Sequence, residues 1–116
     1  MQRRHRLSRS RDFDTVYRQG ASVSTRYVTL HWFPREESAA GEPRLGLAVP
    51  RSVGTAVVRN RVKRVLREAW KELLAEVPAG RDYVLVARPG LAEPAAARGH
   101  EWLKREIAEA LARVRA

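Results

Sequence analysis

Apolar residues change their spacing repeatedly along this chain, and each change marks an element. Phe13, Val16 and Tyr17 fall at i, i+3 and i+4, which puts them on one face of a short helix. Ser10 suits its N-cap, Asp12 and Asp14 suit the positive end of its dipole, and Gly20 suits its end. The segment "SVSTRYVTLHWF" then reads as one strand, rich in β-branched and aromatic residues. Alternation places Val28, Leu30 and Trp32 on one side and Tyr27, Thr29, His31 and Phe33 on the other. After the polar turn "PREESAAGEP" comes "RLGLAVP", where Leu45, Leu47 and Val49 alternate with the small Gly46 and Ala48. The spacing predicts an antiparallel hairpin with a long loop.

A helix from about Thr55 to Ala75 follows, then the turn "PAGRD" and the nearly continuous apolar strand "YVLVARP". Residues 93–115 read as one closing helix, with Leu103, Ile107, Ala110, Leu111 and Val114 on a single stripe. The predicted order is αββαβα, an α+β sandwich whose one small sheet of three or four strands is packed by helices. At 116 residues, with no repeat and no long linker, the chain reads as a single domain, with residues 1–9 as a flexible basic arm.

Charge sharpens the picture at the second helix. At about 100° per residue, Val58, Val62, Val65, Leu66, Ala69 and Leu73 gather on one side. Arg59, Asn60, Lys63, Arg64, Arg67 and Lys71 gather opposite them, and Arg61 falls on the other flank of the apolar stripe. Residues 51–71 hold seven bases, Arg51 included, against the single acid Glu68. Solvated helix faces normally mix signs, yet here Lys63–Arg67 and Arg67–Lys71 are like-charge pairs at i,i+4, with Arg64–Glu68 the main relief. A helix that accepts such repulsion is built to meet phosphates. The whole chain carries +10, which points to polyanions and to nucleic acid first.

Other chemistries lack their residues. There is no cysteine, so disulfides, thiolate metal sites and cysteine nucleophiles are excluded. His5, His31 and His100 show no ligand spacing, the acids are scattered, and "GTAVVRNR" lacks the pattern of a phosphate loop. No catalytic group and no protein-held metal is expected. No apolar run is long enough to span a bilayer and the start is not a secretory signal, so the expected setting is the cytoplasm. A structural ribosomal protein that binds RNA fits this composition as well. A DNA-reading module fits less well, because a strand rather than a helix precedes the basic helix.

The string "GTAVVRNRVKRVLREAW", with "RL" and "DF" upstream at Arg6–Leu7 and Asp12–Phe13 and with "RLGLAVP" as the second strand, resembles the protein subunit of bacterial ribonuclease P. The resemblance runs over almost the whole chain. It implies a fold like the second domain of ribosomal protein S5, with a left-handed βαβ crossover where the common rule would predict a right-handed one. It implies an enzyme whose catalyst is RNA, cutting the 5′ leader from precursor tRNA with Mg²⁺ held mainly by the RNA subunit and the substrate. The protein alone would be inactive, would bind the catalytic RNA and the leader, and would require no protein partner.

Carried over position by position, the resemblance makes Arg59, Asn60 and Arg61 the signature triplet. Lys63, Arg64 and Arg67 match the bases that follow it, and Arg51 matches a base in the preceding loop. Guanidinium forks suit phosphate oxygens, and lysine supplies a point charge. Phe13 and Tyr17 match the aromatic pair of a leader-binding cleft, where unpaired bases stack. His31 stands where relatives commonly carry an aromatic ring.

Overall fold

The computed structural model of the protein describes residues 10–34 and 43–115. The expected basic arm of residues 1–9 and the polar loop of residues 35–42 lie outside them. Helix α1 (Ser10–Gln19) comes first, followed by strands β1 (Ala21–Ser24), β2 (Val28–Pro34) and β3 (Arg44–Ala48). Helix α2 (Ala56–Glu72), strand β4 (Arg81–Ala87), and helices α3 (Ala92–Arg98) and α4 (His100–Arg115) complete the order. The α+β class and the single small sheet agree with the sequence pattern, and the sheet has four strands.

Three expectations need correction. The segment read as one strand is a hairpin, because β1 and β2 pair antiparallel with Ala21 opposite Trp32 and Ser24 opposite Thr29. Thr25 makes the turn. Its backbone N–H donates to Val28 O at 2.8 Å, and its Oγ1 accepts from Val28 N at 3.2 Å. Tyr27 therefore sits before the alternating run, not on the face of His31, and packs toward the main core.

The second correction concerns pairing. β3 does not form a hairpin with β2. The strand order is β1-β2-β4-β3, with β4 antiparallel to β2 and parallel to β3. β4 fills the centre because its side chains are apolar on both faces: Tyr83, Val84 and Leu85 are all buried.

The third is the closing helix, which is broken into α3 and α4 at Gly99. This glycine has φ +84°, a left-handed conformation that ends α3 with its N–H on Ala95 O at 3.1 Å.

The two faces of the sheet divide the labour. Val28, Leu30, Leu45, Tyr83 and Leu85 point to one face and join Val62, Leu66, Ala69, Trp70 and Leu73 of α2 and Leu103, Ile107 and Leu111 of α4 in the main core. Trp70, absent from the predicted apolar stripe, is fully buried and meets the Tyr83 ring at 5.3 Å. On the other face α1 lays Val16 against Val84, with Phe13, Phe33, Ala48 and Val86 around them. One short helix over four strands leaves much of that face open.

Candidate nucleic-acid interface

Helix α2 begins where the chain leaves β3 through a single 3₁₀ turn, Arg51–Val53. Val53 is buried, which fixes the turn to the core while Arg51 and Ser52 stay exposed. The Thr55 side chain caps the helix by accepting from Val58 N at 3.3 Å. No acid occupies the first turn, so the positive end of the helix dipole adds to the field of the bases rather than being neutralised.

The strip forms as the wheel predicts. Asn60, Arg64 and Lys71 are exposed, and Arg59, Lys63 and Arg67 are half-buried along the helix flank. Arg61 is exposed on the opposite flank, beside α3. The expected relief between Arg64 and Glu68 is not formed: among the described residues neither has an ion-pair partner. Among the described residues the Arg59 Nε is buried and has no hydrogen-bond partner.

The aromatic residues also converge. Phe13 and Tyr17, one helical turn apart on α1, have ring centroids 6.5 Å apart. Tyr17 meets His31 of β2 edge to face at 4.9 Å. Tyr17 is 42% exposed and His31 is half-buried, so this line of rings opens to solvent. Burial pushes the Tyr17 hydroxyl up and the His31 imidazole down from their ordinary values, which favours the neutral form of each ring. Phe13 is half-buried over β3, where Gly46 forms its floor: a methyl group there would lie 2.5 Å from the ring. Phe13 is thus held against the sheet by a residue that pattern reading did not single out, although the small size of Gly46 was visible in the strand alternation.

Other polar groups near this face are engaged. Asp82 takes two bonds from Arg44, at 2.8 Å from Nε and 2.7 Å from Nη2, so both carboxylate oxygens are occupied. Away from it, Glu72 at the end of α2 meets His100 and Glu101 at the start of α4, with ligand atoms all within 4.8 Å. No sequence spacing announced this group. Lys104 approaches Glu72 at 3.8 Å and supplies the counter-charge, making the cluster an ion-pair network between two helices. Among the described residues no helix is long and apolar enough to cross a membrane.

The strip and the line of rings lie on elements packed against opposite faces of one sheet. The family model described as Ribonuclease P matches residues 1–115. A ribonuclease P protein component from Bacillus cereus is 36% identical over 107 residues, covering 92% of this chain and 88% of that protein. The ribonuclease P protein from Thermotoga maritima superposes with a TM-score of 0.83 at 28% identity, covering 93% of this chain and 96% of the other. The Staphylococcus aureus protein gives 0.80 at 24% identity, a likeness of fold, over 95% of this chain and 94% of that one.

Proposed function

This chain belongs to the family of ribonuclease P protein components, and we propose that it works as a two-sided RNA clamp in the maturation of tRNA 5′ ends. The RNA subunit of ribonuclease P is its partner. In our reading the α2 strip, with Arg51, Arg59, Asn60, Arg61, Lys63, Arg64 and Arg67, grips RNA backbone. The single-stranded leader of precursor tRNA lies along the α1 face, its bases against Phe13, Tyr17 and His31.

The observation that carries this reading is the placement of the two surfaces. α2 packs on one face of the sheet and α1 on the other, so one rigid body can hold two RNA segments at once. Val62, Leu66, Ala69 and Trp70 are buried, which fixes the helix that carries the cations. The helix backbone that carries the cations therefore does not have to be ordered when RNA docks, which removes one cost of binding.

The described side chains of these surfaces fit binding better than bond cleavage. Asp82 is held on both oxygens by Arg44, and the strip offers cations rather than carboxylate ligands. Cleavage in this reading depends on Mg²⁺ held mainly by the RNA subunit and the substrate, and it takes place in the cytoplasm. The ion would supply the activated water and stabilise the leaving oxygen. The protein's own part is to raise local cation density, hold the leader extended and keep the substrate in register.

Reconstitution tests this directly. The chain is added to a bacterial ribonuclease P RNA and a precursor tRNA at low Mg²⁺. Stimulated release of the 5′ leader is expected. Cleavage by the protein alone, or no stimulation, overturns the mechanism.

A further inference from the structure

A second cationic feature lies outside both surfaces. The turn between β1 and β2, the end of β4, and helices α3 and α4 enclose two adjoining grooves of about 500 and 400 Å³, which share Arg26, Tyr27 and Arg98. The Arg26 guanidinium stands over the Tyr27 ring at 5.4 Å, and the Arg98 guanidinium over the Trp102 ring at 5.5 Å. The two rings touch each other edge to face at 5.0 Å. Arginine, tyrosine, tryptophan and arginine thus form one continuous stack.

Such a stack has a physical consequence. The ring faces toward the guanidinium groups are covered, so they are not platforms for bases. The planar guanidinium groups are held in place by cation–π contact, while their N–H edges keep their capacity to donate. Both arginines are exposed, and among the described residues neither has a carboxylate partner. Their neighbours are differently placed. Arg88 donates to Thr25 O at 2.6 Å, and Arg113 donates to Ser24 O at 2.9 Å and Glu109 Oε1 at 3.1 Å. Glu93 and Glu106 also line the grooves. The local field is therefore mild, and binding there rests on the two oriented forks.

Topology ties the grooves to α2. Parallel strands β3 and β4 end at the same edge of the sheet, β3 leading through Arg51 into α2 and β4 through Arg88 into α3. α3 packs against α2, its Ala92, Ala95 and Ala96 beside Val58, Arg61 and Val65. Arg61, the base that falls off the main strip, faces this side.

We propose that Arg26 and Arg98 form a second phosphodiester-binding site, which extends the RNA interface from the Arg61 flank of α2 across α3. This rests on the RNA-clamp reading, and the experiment separates the two. Binding is measured over a range of salt for catalytic RNA alone and for precursor tRNA alone, with four forms of the full chain. These are the parent, Arg26→Ala/Arg98→Ala, Arg59→Ala/Arg64→Ala, and the control Arg105→Ala, an exposed base on α4 outside the strip and the grooves, whose effect is compared per charge removed. The groove variant is expected to lower the log–log salt slope by about two and affinity by roughly tenfold or more, well beyond the control. The RNA that shows the loss is the one that supplies the phosphates. Glu93→Gln/Glu106→Gln should shift affinity in the opposite direction.

A groove variant that behaves like the control, while the strip variant binds weakly, overturns the second site and leaves the clamp standing. Parent-like binding by both arginine variants overturns both. Melting curves check that each variant is folded. Arg26→Lys/Arg98→Lys keeps the charge but loses the planar fork, and recovery of less than half the lost affinity is expected. Full recovery would overturn the role given to the stack.

Discussion

Tyr17 on α1 and His31 on β2 meet edge to face, with ring centroids 4.9 Å apart and planes at 85°. This contact joins the helix to the sheet beside an open surface, and the partial burial of His31 there makes the fold sensitive to acid. Burial lowers the His31 pKa from its ordinary 6.5. The unfolded chain therefore takes up a proton more readily than the folded one, and the stabilising contribution is complete above pH 6.5. It is lost as pH falls from there through the lowered value. Melting temperatures between pH 8 and pH 5 are expected to fall in the acid half of that range, and His31→Phe should flatten the fall. An identical profile in the variant would remove His31 as the cause.

Gly46 and Phe13 are expected to act as a unit. A Cβ at position 46 would stand 2.5 Å from Phe13 Cζ, so Gly46→Ala must push the ring out of its seat. Overpacking of this kind costs about 1–3 kcal/mol of stability. Phe13→Ala should remove about 1–3 kcal/mol of affinity that depends on the leader. Gly46→Ala should reproduce part of that loss, and the double variant should be no worse than Phe13→Ala alone. Additive losses in the double-mutant cycle would show that Gly46 does not act through Phe13.

On the strip, Arg64 separates binding from folding cleanly because it is exposed and, among the described residues, has no ion-pair partner. Arg64→Ala is expected to weaken RNA binding by about 1 kcal/mol or more while leaving the melting temperature unchanged. Arg59→Ala is expected to cost a similar amount, since its guanidinium belongs to the same strip. The parent protein should lose RNA affinity steeply as salt rises. A flat log–log plot would mean that the strip is only a solvated face.

Simple anions should also report on the strip. The chain carries +10, and like charges stand along one side of α2. Sulfate or phosphate that binds the folded form should raise the melting temperature in a concentration-dependent way. The gain should shrink in Arg59→Ala/Arg64→Ala. An equal gain in that variant would place the anion elsewhere.

How much of this was legible in the sequence depended on the range of the interaction involved. Helix α2 was clear because its period is local: valines and leucines repeat on one side and bases on the other. The helix runs Ala56–Glu72 with Thr55 as its N-cap, close to the start expected at about Thr55. The hairpin turn was missed because Thr25, Arg26 and Tyr27 include no glycine, proline or asparagine, and the turn is made by a threonine hydroxyl. The break at Gly99 was missed because one glycine among alanines, arginine and glutamate does not interrupt a helical pattern.

Strand pairing was least legible. β3 finds its partner only after the whole of α2, and alternation alone does not separate a hairpin from a crossover. The cleft was legible in part. Phe13 and Tyr17 share a helix face by spacing, but meeting His31 required β2 to lie beneath α1. Composition alone did not separate this chain from a ribosomal protein, and the joint spacing of the motifs did.

Strand β4 lies between β2 and β3 although it follows both in the chain. A growing chain that has reached the end of α2 therefore holds one hairpin and a separate β3 with no strand between them. The sheet closes only when Arg81–Ala87 enters and pairs on both sides at once. Folding of this protein is thus expected to wait on its central strand, with the long-range contacts forming late and together. Until then α2, which carries the basic strip, has no complete sheet to lean on.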